Sequence, residues 1–400
     1  MLDRRRFLVK AAAAGLALGG SGLGFGRRPR RVVLPPVRDG LPARQHAWDA
    51  WLARDAHGNP IAPRYQRLLF FDLTGEPTVA DVRRLEAALR RLEHRYAWSA
   101  AGLLSTAGWG PGYFTRTLGI RSPIERPHAL SAFELPSLDD YDLCLHLAGD
   151  EESRLAAAGR ELIAAVDGAL RWRQTRTGFV GARLPAAHQH VGGIPKGAPV
   201  PADAPLYMGF KSGYRRNQAS EDAITIRRGP LAGGTTMHVS RMRLRLDDWY
   251  GLLDERERVA RMFAPQVSRA QVDRFTTDAP SRPDRLDQAA QRYGVVGHAQ
   301  ASARARRNGR PRILRRDFDS ADGGEAGLHF VSLQRTIADF VATRTAMNAA
   351  HSSYINPAIT DTVNNGINEF IFVTHRGNYL VPPRAQRSFP LLPGREAALA

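Results

Sequence analysis

Short apolar strands alternate with amphipathic helices in two successive runs, 65–181 and 206–385, separated by a Gly-, Pro- and Ala-rich stretch at 182–205. With only a few strands in each run, this order predicts an α+β fold of two ferredoxin-like halves, with antiparallel sheets and peripheral helices. A lead-in at 31–64, rich in Pro and Arg, comes first and holds one short helix around His46 to Leu52. In the first half, Arg67-Leu-Leu-Phe-Phe-Asp-Leu reads as a strand. From Thr78 to Tyr96, Val79, Val82, Leu85, Leu89 and Leu92 recur at helical spacing, with Thr78 as the N-cap. A Gly-rich aromatic loop, Trp109-Gly-Pro-Gly-Tyr-Phe, leads to a strand from Asp142 to Ala148, and Glu151 to Leu170 is a second amphipathic helix. In the second half, Gly229 to Gly234 reads as a hairpin turn and Thr235 to Leu246 as an alternating strand. Asp247 and Asp248 cap a helix that continues through Arg256 to Arg261 as a charged face. Gly327 to Leu333 is a compact apolar strand, Ile337 to Ala349 is helical, Glu369-Phe-Ile-Phe-Val is a last strand, and 386–400 is a tail. The halves share a pattern and no residue-level repeat.

The first thirty residues stand outside this fold. Arg4-Arg5-Arg6-Phe7-Leu8 precedes an apolar stretch from Ala11 to Leu18 that continues through glycines to Phe25. This is the layout of a twin-arginine export signal, which implies the twin-arginine translocase as a partner and a periplasmic or extracellular destination. The stretch is small and Ala/Gly-rich, short of the ~20 strongly apolar residues of a membrane span. No Ala-x-Ala site follows it and Arg27-Arg28-Pro29-Arg30-Arg31 comes next, so an uncleaved anchor stays open as the alternative.

Without the signal about 370 residues remain, enough for two packed subdomains at roughly 100 to 200 residues each. The single cysteine, Cys144, can form no internal disulfide and sits in a buried-strand context. Lys and Arg number 57 against 39 Asp and Glu, a net charge of +18, while 43% hydrophobic residues mark a globular chain. The arginines are spread along the chain and no nucleic-acid motif is present, so an anionic ligand or envelope fits the charge better than nucleic acid. There is no Gly-x-x-x-x-Gly-Lys-Ser/Thr, Gly-x-Ser-x-Gly, His-Glu-x-x-His or Cys-x-x-Cys. His188-Gln-His190, with no acidic or Cys partner nearby, is a weak metal motif on a solvated loop.

Three segments of the second half carry the chemistry. They are the turn Gly209-Phe210-Lys211-Ser212-Gly213, the pair Gly297-His298 followed seventeen residues later by Arg315-Arg316, and the strand Gly327-Leu328-His329-Phe330-Val-Ser-Leu-Gln. His298 follows an apolar approach, Tyr293-Gly-Val-Val-Gly, that would bury it. A buried neutral imidazole needs partners, and either a backbone carbonyl or a metal or haem iron would serve. Arg315 follows two apolar residues, and a charge turned inward there needs an anion.

In order and spacing these segments, with Leu69-Phe-Phe-Asp-Leu and Asp142-Leu-Cys-Leu-His-Leu-Ala-Gly-Asp, resemble the dye-decolourising peroxidases, including their exported deferrochelatase branch. The likeness spans about Arg67 to Val381. It implies a duplicated ferredoxin-like fold of the dimeric α/β-barrel type, one haem b per chain, and hydrogen peroxide with an organic electron donor as substrates. A homo-oligomer is left open. It also implies that His298 is the ligand to haem iron, that Arg315 stands over the opposite face, and that Leu328 and Phe330 wall the distal pocket. Gly209 and Phe210 belong to the Gly-x-x-Asp-Gly turn, and Arg316 would serve a turn or a haem propionate. In this chain Ser212 stands where the family's motif has its aspartate, the group that moves a proton between the peroxide oxygens. A hydroxyl has no pKa suited to that task near neutrality, and Glu221, Asp222, His238 and His329 are the candidates to replace it. The resemblance thus allows a peroxidase of weakened or altered activity, a haem carrier, store or sensor, or a cofactor-free homologue.

Overall fold

The structure, a computed structural model, describes residues 32–348 and 350–399; the expected export signal at 1–30 lies outside them. The described residues from Val33 onward form one compact unit. Its strands are β1 Tyr65–Leu73, β2 Leu104–Trp109, β3 Ser137–Leu138, β4 Leu143–Gly149, β5 Leu170–Phe179, β6 Thr235–Leu244, β7 Leu314–Arg315, β8 Phe318–Ser320, β9 Gly327–Gln334 and β10 Ile371–Val381. They join in the order β2-β4-β1-β5-β8-β9-β6-β10-β3, with β7 also on β9. Leu380 of β10 pairs with Trp109 of β2, which closes the sheet into a barrel. The described pairings are antiparallel except β3 on β10.

The duplication is explicit in this order. In each half the four strands, counted along the chain, lie 2-3-1-4: β2-β4-β1-β5 in the first, and β8-β9-β6-β10 in the second with β7 sharing the second place. That is the ferredoxin-like arrangement. The apolar run of β1 is buried on both faces. Leu68 and Phe70 enter the barrel interior with Cys144, Met237, Phe318 and Val331. Leu69 and Phe71 pack under the helices α1 Val79–Arg95 and α2 Glu152–Val166. A strand enclosed on both sides has no polar face to alternate, which is why it reads as a continuous apolar segment. Burial pushes the Cys144 thiol up in pKa, so it stays a protonated core residue.

Helix α1 begins at the Thr78 cap, with Thr78 and Asp81 forming a reciprocal capping box. Other boundaries differ from the sequence reading. The helix expected to reach Leu170 ends at Val166, and Leu170 opens β5, a strand too polar to be seen by periodicity. Pairing with β1 along its length makes it a strand. β2 likewise went unread. The expected single helix from Asp247 to Arg261 is two, Leu246–Gly251 and Glu255–Met262, because Asp254 caps the second with its own box to Glu257. The last strand begins only at Ile371, after a turn of 3-10 helix at Asn368–Phe370, and runs on to Val381.

The lead-in forms one 3-10 turn, Asp49–Trp51, and buries Trp48 against Trp98, Leu104 and Ala148. Residues 386–399, read as part of a tail, pack against α1. Phe389 joins its core cluster, and Arg387 is buried with Glu86 and Glu93 of α1.

Candidate functional site

A cavity opens in the second half where side chains on the face of β6, β7, β8 and β9 turned away from the barrel interior meet the helices His298–Ala303 and Ile337–Ala346. Its walls are largely apolar, with Met208, Phe210, Met242, Phe263, Leu328 and Phe330 among them. Phe330 lies 5.9 Å from Phe340, ring to ring, and Phe210 lies 5.3 Å from Phe263.

His298 is the first residue of its helix, and two glycines place it. A Cβ on Gly297 would stand 2.0 Å from the Phe263 carbonyl oxygen, so no side chain fits there. Gly366, at φ +56°, presses on the His298 backbone, where an added Cβ would come within 2.9 Å of its Cα. The Gly366 N–H donates to the Val296 carbonyl at 2.9 Å and ties the two segments. The imidazole is half-buried and opens onto the cavity. Neither ring nitrogen has a hydrogen-bond partner among the described residues, so the backbone-carbonyl alternative does not hold. Burial, then the charges of Arg315 and Arg344, push its pKa down to about 3. At neutral pH it is therefore an uncharged donor of a lone pair.

Arg315 ends β7 opposite Ser332 of β9, and its backbone N–H donates to Gln218 Oε1 at 2.9 Å. Side-chain alternation along 315–319 sorts the following residues. Arg315, Asp317 and Asp319 line the cavity. Arg316 and Phe318 do not: Phe318 enters the barrel core, and Arg316 lies 3.7 Å over the Trp48 ring and donates to the His46 carbonyl at 2.6 Å. Arg316 thus anchors the lead-in and is unavailable to a propionate in the cavity.

The cavity carries more cations than anions. Lys211, Arg312 and Arg376 are held by Asp55, Asp339 and Glu134, and Arg344 donates to Ser131 Oγ and lies 3.8 Å from Glu134. The guanidinium groups of Arg306 and Arg315 have no acceptor among the described residues. Sequence reasoning missed the two acids. Asp319 accepts a hydrogen bond from the Tyr207 N–H, and burial, with Asp317 nearby, holds its pKa well above the carboxylate range. Asp317 is pushed up to about 6 by burial, against the opposing charge of Arg315. A rule of two residues along a strand from Arg315 would have pointed to it.

Ser212 and Phe210 line the cavity, whereas Gly209 lies outside the lining and supplies the turn at φ +84°. The residues considered as replacements for the missing acid are elsewhere. Glu221 accepts from the N–H groups of Trp48 and Asp49, and Asp222 pairs with Arg44 at the surface. His238 bonds Asn378 and Ser240, and His329 lies 3.2 Å from Asp322. His188 stacks on Phe179 at 4.1 Å with Nδ1 on the Leu184 carbonyl.

Comparison with known proteins agrees with this architecture. A dye-decolorizing protein from V. cholerae superposes with a TM-score of 0.57 at 15% identity, over 85% of this chain and 98% of its own. A DyP-type peroxidase from Cellulomonas bogoriensis gives 0.57 at 23% identity, over 84% and 96%. A DypB variant of Rhodococcus jostii RHA1 in complex with haem gives 0.56 at 15% identity, over 84% and 98%. No curated protein matches the sequence. The fold is that of the dye-decolourising peroxidases, and a family model matches residues 63–383: the chain belongs to the DUF7405 family, a family of unknown function.

Proposed function

We propose that the protein binds haem in this cavity and reacts there with peroxide, outside the cytoplasm. The observation that carries the reading is His298: a neutral, unpartnered imidazole opening into an apolar cavity that also holds two unpaired guanidinium groups. That donor set fits an iron porphyrin, which offers a metal for the imidazole nitrogen, apolar faces and anionic propionates. The haem-bound neighbour of the same fold supports it.

Haem, when bound, supplies an iron centre able to react with peroxide. His298 would hold it through a ring nitrogen. Arg315, a fixed positive charge with no acceptor of its own, would stabilise negative charge developing as the O–O bond lengthens. Arg306 is the second unpaired cation for the propionates. Leu328 and Phe330 keep water from the reacting face. Ser212 favours a second reading, haem carriage, storage or sensing with little turnover, since its hydroxyl cannot exchange a proton as a carboxylate does. The Arg4-Arg5 segment supports export by the twin-arginine route, which carries folded, cofactor-loaded proteins.

Reconstitution with haem tests the reading. A Soret band in the purified protein, absent in His298→Ala, supports both haem functions, and rapid spectral change on adding peroxide selects the enzyme. A protein that stays colourless after reconstitution overturns both.

A further inference from the structure

The Gly-Phe-Lys-Ser-Gly turn offers no acid at Ser212, yet two carboxyl groups reach the cavity from another element. Alternation through β7 and β8 sends Arg315, Asp317 and Asp319 to one side and Arg316 and Phe318 to the other. The two acids are not equivalent. Asp319 is occupied by the Tyr207 N–H. Asp317 is influenced by the Val331 backbone N–H, and its Oδ1 is buried with no hydrogen-bond partner among the described residues, an arrangement that costs stability.

We propose that Asp317 is the proton-transferring carboxylate of this cavity, in place of the acid that the turn lacks at Ser212. The assignment rests on the reading of the cavity as a haem and peroxide site. The carboxylate takes the proton from the inner peroxide oxygen and returns it to the outer one. The outer oxygen would leave as water with the electron pair of the O–O bond, and a bound haem is the group that would supply the two electrons this cleavage requires. Arg315, whose charge opposes the upward shift of Asp317, steadies the carboxylate between the two transfers. Asp319 also acts on Asp317; His298 and the unpaired Arg306 line the same cavity, and Lys211, Arg312, Arg344 and Arg376 there have partners of their own. Burial holds the Asp317 pKa near 6, where both protonation states are accessible at neutral pH.

Wild type, Asp317→Asn, Asp317→Glu and Ser212→Asp, each reconstituted with haem, are compared by Soret intensity, by the pH dependence of the ferric spectrum without peroxide, and by stopped-flow reaction with hydrogen peroxide. Asp317→Asn is expected to bind haem like wild type, to lose a spectral titration near pH 6, and to react roughly 10² to 10⁴ times more slowly. Asp317→Glu should restore both signals in part. Wild-type rate and pH profile in Asp317→Asn overturn the assignment alone. So does a rise of two orders of magnitude on Ser212→Asp, which would show that no carboxylate was serving. Failure of wild type to bind haem overturns the assignment together with the functional reading.

Discussion

At the scale of single residues, Asp317 couples chemistry to stability. Its folded pKa of about 6 lies above the ordinary 3.8, so between these values the folded protein binds more protons than the unfolded chain. Its stabilising protonated form is fully present below about pH 4 and is lost as pH rises through 6. Asp317→Asn is therefore expected to raise stability at pH 7 by on the order of 2 kcal/mol and to leave it nearly unchanged at pH 4, as read from denaturation midpoints. A group kept at that cost is a sign of function. His298, Arg315 and Ser212 were legible as residues because motif spacing marks them. Asp317 was not, since an acid two positions past Arg315 acquires meaning only once the chain there is known to be extended and to face a cavity.

At the scale of elements, the placement of His298 depends on two loops meeting at glycines. Gly366 sits in the left-handed region with its Cβ direction blocked by the His298 backbone. Gly366→Ala is expected to cost roughly 1 to 3 kcal/mol and to shift the histidine, lowering haem affinity at least tenfold in a titration monitored at the Soret band. A variant with unchanged affinity would mean that the helix at His298 adapts freely. The elements themselves were partly readable. Thr78 and the heptad-like apolar spacing of α1 marked that helix, and the apolar runs marked β1, β4 and β9. β5 escaped because its Arg-rich segment takes its conformation from nine residues of pairing partner, β1, and not from its own periodicity. The break before Glu255 escaped because Asp254 is one of several acids, and only its bond to the Glu257 N–H distinguishes it as a cap.

At the scale of the whole molecule, the C-terminal segment is locked onto the first half by buried charge. Arg387 lies between Glu86 and Glu93 of α1, Arg384 also reaches Glu93, and Ser388 Oγ donates to Glu86 at 2.8 Å. Removing one member strands the others in a poorly solvated site. Arg387→Ala is expected to cost roughly 3 to 5 kcal/mol, seen as a lower thermal midpoint. Although burial opposes it, the charges of Arg387 and Arg90 hold the Glu86 pKa down to about 2. That contribution is present above about pH 4.5 and is lost as pH falls through 2, so the wild type should lose stability over that window and Arg387→Ala should lose less.

The sequence by itself determined the α+β class, the two-part layout, and the residues His298 and Arg315 with the serine that departs from the family motif. Each of these is written in local apolar spacing or in a short motif. Only the tertiary structure decided which side chains share the cavity, that Arg316 turns away while Asp317 turns in, and that the C-terminal segment belongs to the core of the first half. The physical reason is that strand parity and burial are properties of pairing across the chain. Whether a carboxyl group is buried without a partner depends on distant elements that its own neighbours do not specify.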